Sequence, residues 1–137
     1  MEIAGQSLPE GSWWDWEVVT WDAGRLILAA GHDLTYHHGL EVVFVSPLFV
    51  SCPPAFQDPV FRAPTAGERE RLARTLGEES PVVVAFEADG GGRDPVSCLV
   101  AAERVDVVPG LFERARRHGT EAPVRPPDWP GAPPSTD

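Results

Sequence analysis

The sequence predicts a mainly β protein, with α+β as the neighbouring possibility: an antiparallel meander or small barrel carrying one helix over about residues 65–76. Three observations predict it. At least six short runs are rich in Val, Ile, Phe and Trp and are bounded by Gly, Pro, Ser or Asp. Only one segment combines helix-start and helix-stop signals. The length of 137 residues suits one hydrophobic core.

Residues 1–12 mix Gly, Ser, Pro and Gln and read as a loose lead-in to a single β-rich domain over 13–118. In residues 14–21, strand alternation sets Trp14, Trp16 and Val18 on one side and Asp15 and Glu17 on the other. Asp22, Ala23 and Gly24 supply a turn, and residues 25–30 resume an apolar strand, so a hairpin is expected. A second turn at Gly31, His32 and Asp33 leads to a short alternating segment, and His38 with Gly39 turns again. Residues 40–45 and 48–52 then read as two strands separated by a break at Ser46 and Pro47.

Four prolines in residues 53–64 argue for an irregular loop pinned by Phe56, Val60 and Phe61. Thr65 and Glu68 have the spacing of a capping box, Leu72, Ala73 and Leu76 form an apolar stripe, and Gly77 suits a left-handed C-terminal cap. The runs 82–86 and 96–102 are almost wholly apolar and predict central strands covered on both faces, with 104–108 as an added edge strand. Residues 119–137, dense in Pro and poor in large apolar side chains, read as a disordered tail.

Charge narrows the function classes. The formal net charge is −10, and residues 1–109 hold 17 acidic side chains against 7 basic ones, all of them Arg. Such a field repels phosphate backbones and anionic lipid, which argues against nucleic acid and membrane surfaces and favours a basic protein partner. No apolar run is long enough to span a bilayer, and the first residues show no basic cluster leading into an apolar stretch, so a cytoplasmic location is expected.

Chemistry-bearing residues are few. His32, His37 and His38 crowd a Gly-flanked segment, but His37 and His38 point to opposite faces if the segment is a strand. His32, His38 and Cys52 are the candidate metal ligands, without the spacing of any zinc motif. Cys52 and Cys98 each sit in an apolar run, where two reduced core thiols are expected and a disulfide or a zinc site is the alternative. No catalytic motif is present, and Asp89 to Arg93 lacks the Gly-Lys-Ser/Thr ending of a phosphate loop. Glu41, Glu87 and Glu103 are carboxylates in strong strands, where alternation alone accounts for them. Neither a catalytic residue nor a cofactor is expected.

Aromatic density is the remaining signal. Trp13, Trp14, Trp16 and Trp21 lie within nine residues, interleaved with Asp15, Glu17 and Asp22. Indoles flanked by acids suit the anchors of a protein interface, so Trp13, Trp16, Trp21, Asp15 and Glu17 are the candidate partner-binding residues.

The stretch 33–44, followed by a short break and an apolar strand ending at Cys52 and Pro53, resembles small uncharacterised bacterial (actinobacterial-like) β-rich proteins, some of which are grouped with predicted toxin-immunity proteins. The resemblance transfers no catalytic residue. It implies a compact acidic protein that blocks a partner by binding it, a non-catalytic binding module such as an immunity or accessory protein. The alternative expectation is a small metal-dependent or ligand-binding β-barrel enzyme centred on His32, His37 and His38.

Overall fold

The computed structural model describes residues 1–11, 13–31 and 37–113. The expected tail, residues 119–137, and His32 lie outside the described residues, as do the side chains of His37 and His38.

The strands are β1 (Glu2–Ile3), β2 (Gln6–Ser7), β3 (Asp15–Trp21), β4 (Arg25–Gly31), β5 (His37–Ser51), β6 (Ala55–Arg62), β7 (Val82–Asp89) and β8 (Val96–Glu113), with helix α1 (Ala66–Leu76) between β6 and β7. β1 and β2 form a small antiparallel hairpin, while the other six close into a barrel in the order β3-β4-β5-β8-β7-β6. The mainly β expectation with one helix is therefore met, in its barrel form.

Closure depends on β6, the segment expected to be an irregular loop. It pairs with β3 through Trp16 opposite Phe56 and with β7 through Phe61 opposite Phe86. None of its prolines interrupts a required ladder bond. Pro53 and Pro54 precede the strand, Pro64 follows it, and Pro59 sits in a register shift between Gln57 and Val60, beside Asp58 at φ 51.

A similar adjustment joins the two strands expected at 40–45 and 48–52. Ser46, at φ 54, and the shift between Pro47 and Phe49 bend β5 without ending it. β4 ends its pairing at Arg25 opposite Val45, so the missing N–H of Pro47 faces no ladder on that side. The separate edge strand expected at 104–108 is likewise a continuation of β8, which pairs with β5 along nearly its whole length.

Inside the barrel, Trp16, Phe56, Phe61 and Phe86 form the aromatic centre. Trp16 stacks on Phe56 with centroids 5.9 Å apart, and Phe61 lies 4.8 Å from Phe86. Leu26, Leu28, Leu40, Val42, Phe44 and Val100 fill the remainder. A second, outer cluster explains why β7 and β8 are apolar on both faces: Leu72 of α1 covers Ala85, Leu99 and Ala101, with Phe49, Leu76 and Val83 at its margin. The helix thus packs on the barrel wall.

Its start is the expected capping box. Thr65 Oγ1 accepts from the Glu68 N–H at 3.0 Å, the Thr65 N–H donates to Glu68 Oε1 at 2.8 Å, and Gly77 closes the helix at φ 82. Glu68 has a second task. Arg62, at the end of β6, donates to both its carboxylate oxygens at 2.8 and 2.9 Å and also reaches Glu87 Oε2 on β7 at 2.9 Å, while Ser97 Oγ donates to that same oxygen. One guanidinium ties β6, α1 and β7 together.

The described part of the lead-in, residues 1–11, is more ordered than its composition suggests. Ile3 is buried in the barrel core, and the Gln6 amide donates to the Val105 carbonyl at 2.6 Å while accepting from the Val107 N–H at 3.1 Å. β7 pairs with β8 only as far as Ala102, so Gln6 serves the part of β8 that β7 no longer reaches.

Candidate partner-binding face

The structure separates the expected partner-binding residues into three groups. Trp16 is a correction: it is fully buried, and its Nε1 donates to the Trp13 carbonyl at 2.8 Å, so it belongs to the core and presents nothing to a partner. Trp13 is half-buried against that core. Its Nε1 donates to the Pro9 carbonyl at 2.7 Å, and its ring lies so close to Gly39 that a Cβ there would stand 2.9 Å from it. Trp13 closes one end of the barrel, and only a glycine at position 39 leaves room for it.

Trp21 is exposed, at 61%, at the far end of β3. Trp14, expected on the same side as Trp16, is instead 41% exposed, because β3 begins at Asp15 and alternation does not extend back to residue 14. The two exposed indoles stand at opposite ends of a seven-residue strand, about 20 Å apart at an ordinary strand rise, and form no common patch.

Asp15 and Glu17 do lie on an outer wall, half-buried, with Gln57 Nε2 donating to Asp15 Oδ1 at 3.3 Å. Register shows what surrounds them. Asp15 is opposite Gln57, Gln57 is opposite Asp89, and Val60 is opposite Glu87, so the wall continues across β6 to β7. The Asp58 N–H donates to the Trp14 carbonyl at 2.8 Å, which brings Trp14 beside the β6 bulge.

Next to that bulge is a shallow groove of about 300 Å³ lined by Asp58, Val60, Glu87, Asp89, Arg93 and Asp94. Val60 is 64% exposed, the largest exposure of any big apolar side chain among the described residues of the barrel strands. Asp89 accepts from the Gly91 N–H at 2.8 Å, Glu87 is held by Arg62 and Ser97, and the side chains of Asp58 and Asp94 have no polar partner among the described residues. An apolar anchor ringed by carboxylates can receive a long cationic side chain, whose stem packs on Val60 while its head stays among the acids.

This face escaped sequence reasoning because Val60 and Asp58 fall in the proline-rich stretch. The available signal was the pair Asp58-Pro59, a place where a strand can bulge and turn a side chain outward.

Of the metal candidates His32, His38 and Cys52, only Cys52 has a described side chain. Among the described residues, no group of three or more His, Cys, Asp and Glu is arranged to hold a metal ion. Cys52 is half-buried against the barrel core, and burial pushes its thiol up to about 11. The backbones of His37 and His38 pair with Glu113 and Phe112 in the β5/β8 ladder, and His32 lies outside the described residues. Of the three strand carboxylates, Glu87 is engaged by Arg62, Glu103 is exposed and Glu41 is half-buried on β5.

Fold and face together define a small closed-barrel protein with a helix on one wall and an acidic groove on another. Comparison of the chain with family models, with curated proteins and with solved structures gives no match. Among the described residues no helix is long and apolar enough to cross a membrane.

Proposed function

We propose that this protein is a non-catalytic binding module for a basic protein partner, acting as an immunity or accessory protein acts, by covering a partner's surface. The observation that carries this reading is the exposed Val60 set among Asp58, Asp89 and Asp94, beside Trp14, on the β3-β6-β7 wall. The negative field speeds encounter with a basic surface, and the apolar residues hold it afterwards. A cytoplasmic location belongs to the same proposal.

The experiment is affinity capture with the full chain as bait, in parallel with three variants, one of which is Trp21→Ala. Asp58→Asn combined with Asp94→Asn removes two charges, and Asn tolerates the positive φ at position 58. Val60→Ser removes the apolar anchor. A partner retained in one-to-one ratio by the wild-type chain should associate several-fold more slowly with the charge variant at low ionic strength, and should dissociate about tenfold faster from Val60→Ser. A partner that responds only to Trp21→Ala places the surface at the β3-β4 hairpin. Capture of no stoichiometric partner, or of one indifferent to salt and to all three variants, overturns the reading.

A further inference from the structure

Cys52 and Cys98 are 46 positions apart in the chain. The β5/β8 ladder brings them together. Its last pairs are Val50 opposite Val100 and Ser51 opposite Leu99, and one further step sets Cys52 opposite Cys98.

The facing of the neighbours agrees. Val50 and Cys52 pack against the barrel core that contains Val100 and Cys98, whereas Leu99 belongs to the outer cluster beneath α1. Both thiols therefore point to the barrel interior from directly opposed positions. Opposed residues of an antiparallel pair have Cα atoms about 4.5 or 5.5 Å apart, within the span that a disulfide bridges.

The two thiols are free, and their exposures differ: Cys98 is 1% exposed, and Cys52 is half-buried at the strand end. Burial holds Cys52 up at about 11 and Cys98 up at about 12, the neighbouring Cys52 adding to the shift of Cys98. Both stay protonated at neutral pH, so neither is a readily modified surface thiol.

We propose that Cys52 and Cys98 are a reversible dithiol pair that a small-molecule disulfide converts into a cross-strand bridge between the end of β5 and the start of β8. Cys52, the accessible member, gives up its proton and attacks one sulfur of glutathione disulfide. The S–S bond breaks, one glutathione leaves as a thiolate and takes up a proton, and a mixed disulfide remains on Cys52. Cys98 then loses its proton and attacks Cys52 Sγ, and the second glutathione leaves and is protonated. Two protein thiols are oxidised and one glutathione disulfide is reduced to two thiols.

The bridge lies where β5 passes into β6 through Pro53, whose Cγ stands 3.4 Å from where a Cβ on Gly90 would be. Oxidation thereby anchors the support of the loop that carries Arg93 and Asp94.

The test is incubation of the folded full chain with glutathione disulfide in mildly alkaline buffer, followed by intact mass and a non-reducing peptide map. The expected product is a monomer lighter by two hydrogens, with the Cys52 peptide joined to the Cys98 peptide. Its melting temperature should exceed that of the reduced chain by roughly 10 °C, since the bridge closes a long loop in the unfolded state. Cys98→Ser should stop at a single glutathione adduct on Cys52. Cys52→Ser, at the less buried position, should give neither bridge nor adduct. A wild-type chain that accumulates only the adduct, that links to a second copy, or that reacts only under denaturing conditions overturns the proposal.

Discussion

Replacing Trp16 with Ala should cost about 3 to 5 kcal/mol of unfolding free energy, the range for removing a large buried aromatic side chain. That is a large share of the stability of an ordinary domain, about 5 to 15 kcal/mol, so the variant should be partly unfolded at moderate temperature. The reason is position. Trp16 stacks on Phe56, contacts Phe61 with centroids 5.6 Å apart and joins β3 to β6 at the seam that closes the barrel. Its loss also leaves the Trp13 carbonyl without the indole donor. Urea unfolding followed by circular dichroism measures the effect, with Trp21→Ala as the comparison. Trp21 is exposed, and its truncation should shift stability by no more than about 0.5 kcal/mol. A Trp16→Ala variant within about 1 kcal/mol of the wild-type chain would contradict the core assignment.

The second large effect is expected at Arg62. Arg62→Ala should destabilise by about 2 kcal/mol, because it removes a bidentate ion pair and leaves Glu68 and Glu87 without the cation between them. The variant also carries a pH signature. Hydrogen bonds from Arg62 and from the Thr65 backbone hold the Glu68 carboxyl down at about 2, against an ordinary value of 4.5. A carboxylate depressed by folding contributes its stability above its unfolded value and loses it as pH falls toward its folded one, so the wild-type chain should weaken between about pH 4.5 and 2. Arg62 is 30% exposed, and screening by solvent brings this contribution to about 1 to 2 kcal/mol. In Arg62→Ala most of that slope should vanish, while the Thr65 N–H preserves a remnant. Arg62→Lys keeps the charge without the fork and should fall between the two. Unfolding curves across that pH range, equal in slope for wild-type and Arg62→Ala, would show that Arg62 is not what depresses Glu68.

The contrast between α1 and β6 shows which parts of this fold are legible in sequence. The helix was readable because all its determinants are local: Thr65, Glu68, the Leu72 stripe and Gly77 lie within thirteen residues and act on one another. The apolar runs of β7 and β8 were readable for the same reason, although the cause of their two-sided burial, a barrel interior on one side and Leu72 on the other, needs the assembled fold. β6 was not readable. Its prolines deny a strand only if they fall on ladder positions, and which positions pair is decided by β3 and β7, far away in the chain. The same dependence hid the continuity of β5 across Ser46 and Pro47.

At the candidate face, Asp15 and Glu17 were placed correctly on an outer surface by alternation. Trp14 and Trp16 were assigned one shared side, and the start of β3 at Asp15 separates them. Val60 itself looks like core, a Val among prolines and phenylalanines, and the neighbouring Asp58-Pro59 pair was the one sequence hint of its exposure. Only the bulge beside Asp58 turns it outward.

The Gln6 amide bears on how this chain meets copies of itself. Beyond Ala102 the backbone of β8 has lost its β7 neighbour, and an unpaired strand flank of that kind is a template onto which another polypeptide can hydrogen-bond. Gln6 occupies the Val105 carbonyl and the Val107 N–H with a side chain that reproduces both halves of a peptide group. An intruding strand must first displace it, together with the hairpin that buries Ile3. The short N-terminal hairpin thus covers with its own hydrogen bonds a strand flank that would otherwise stand open.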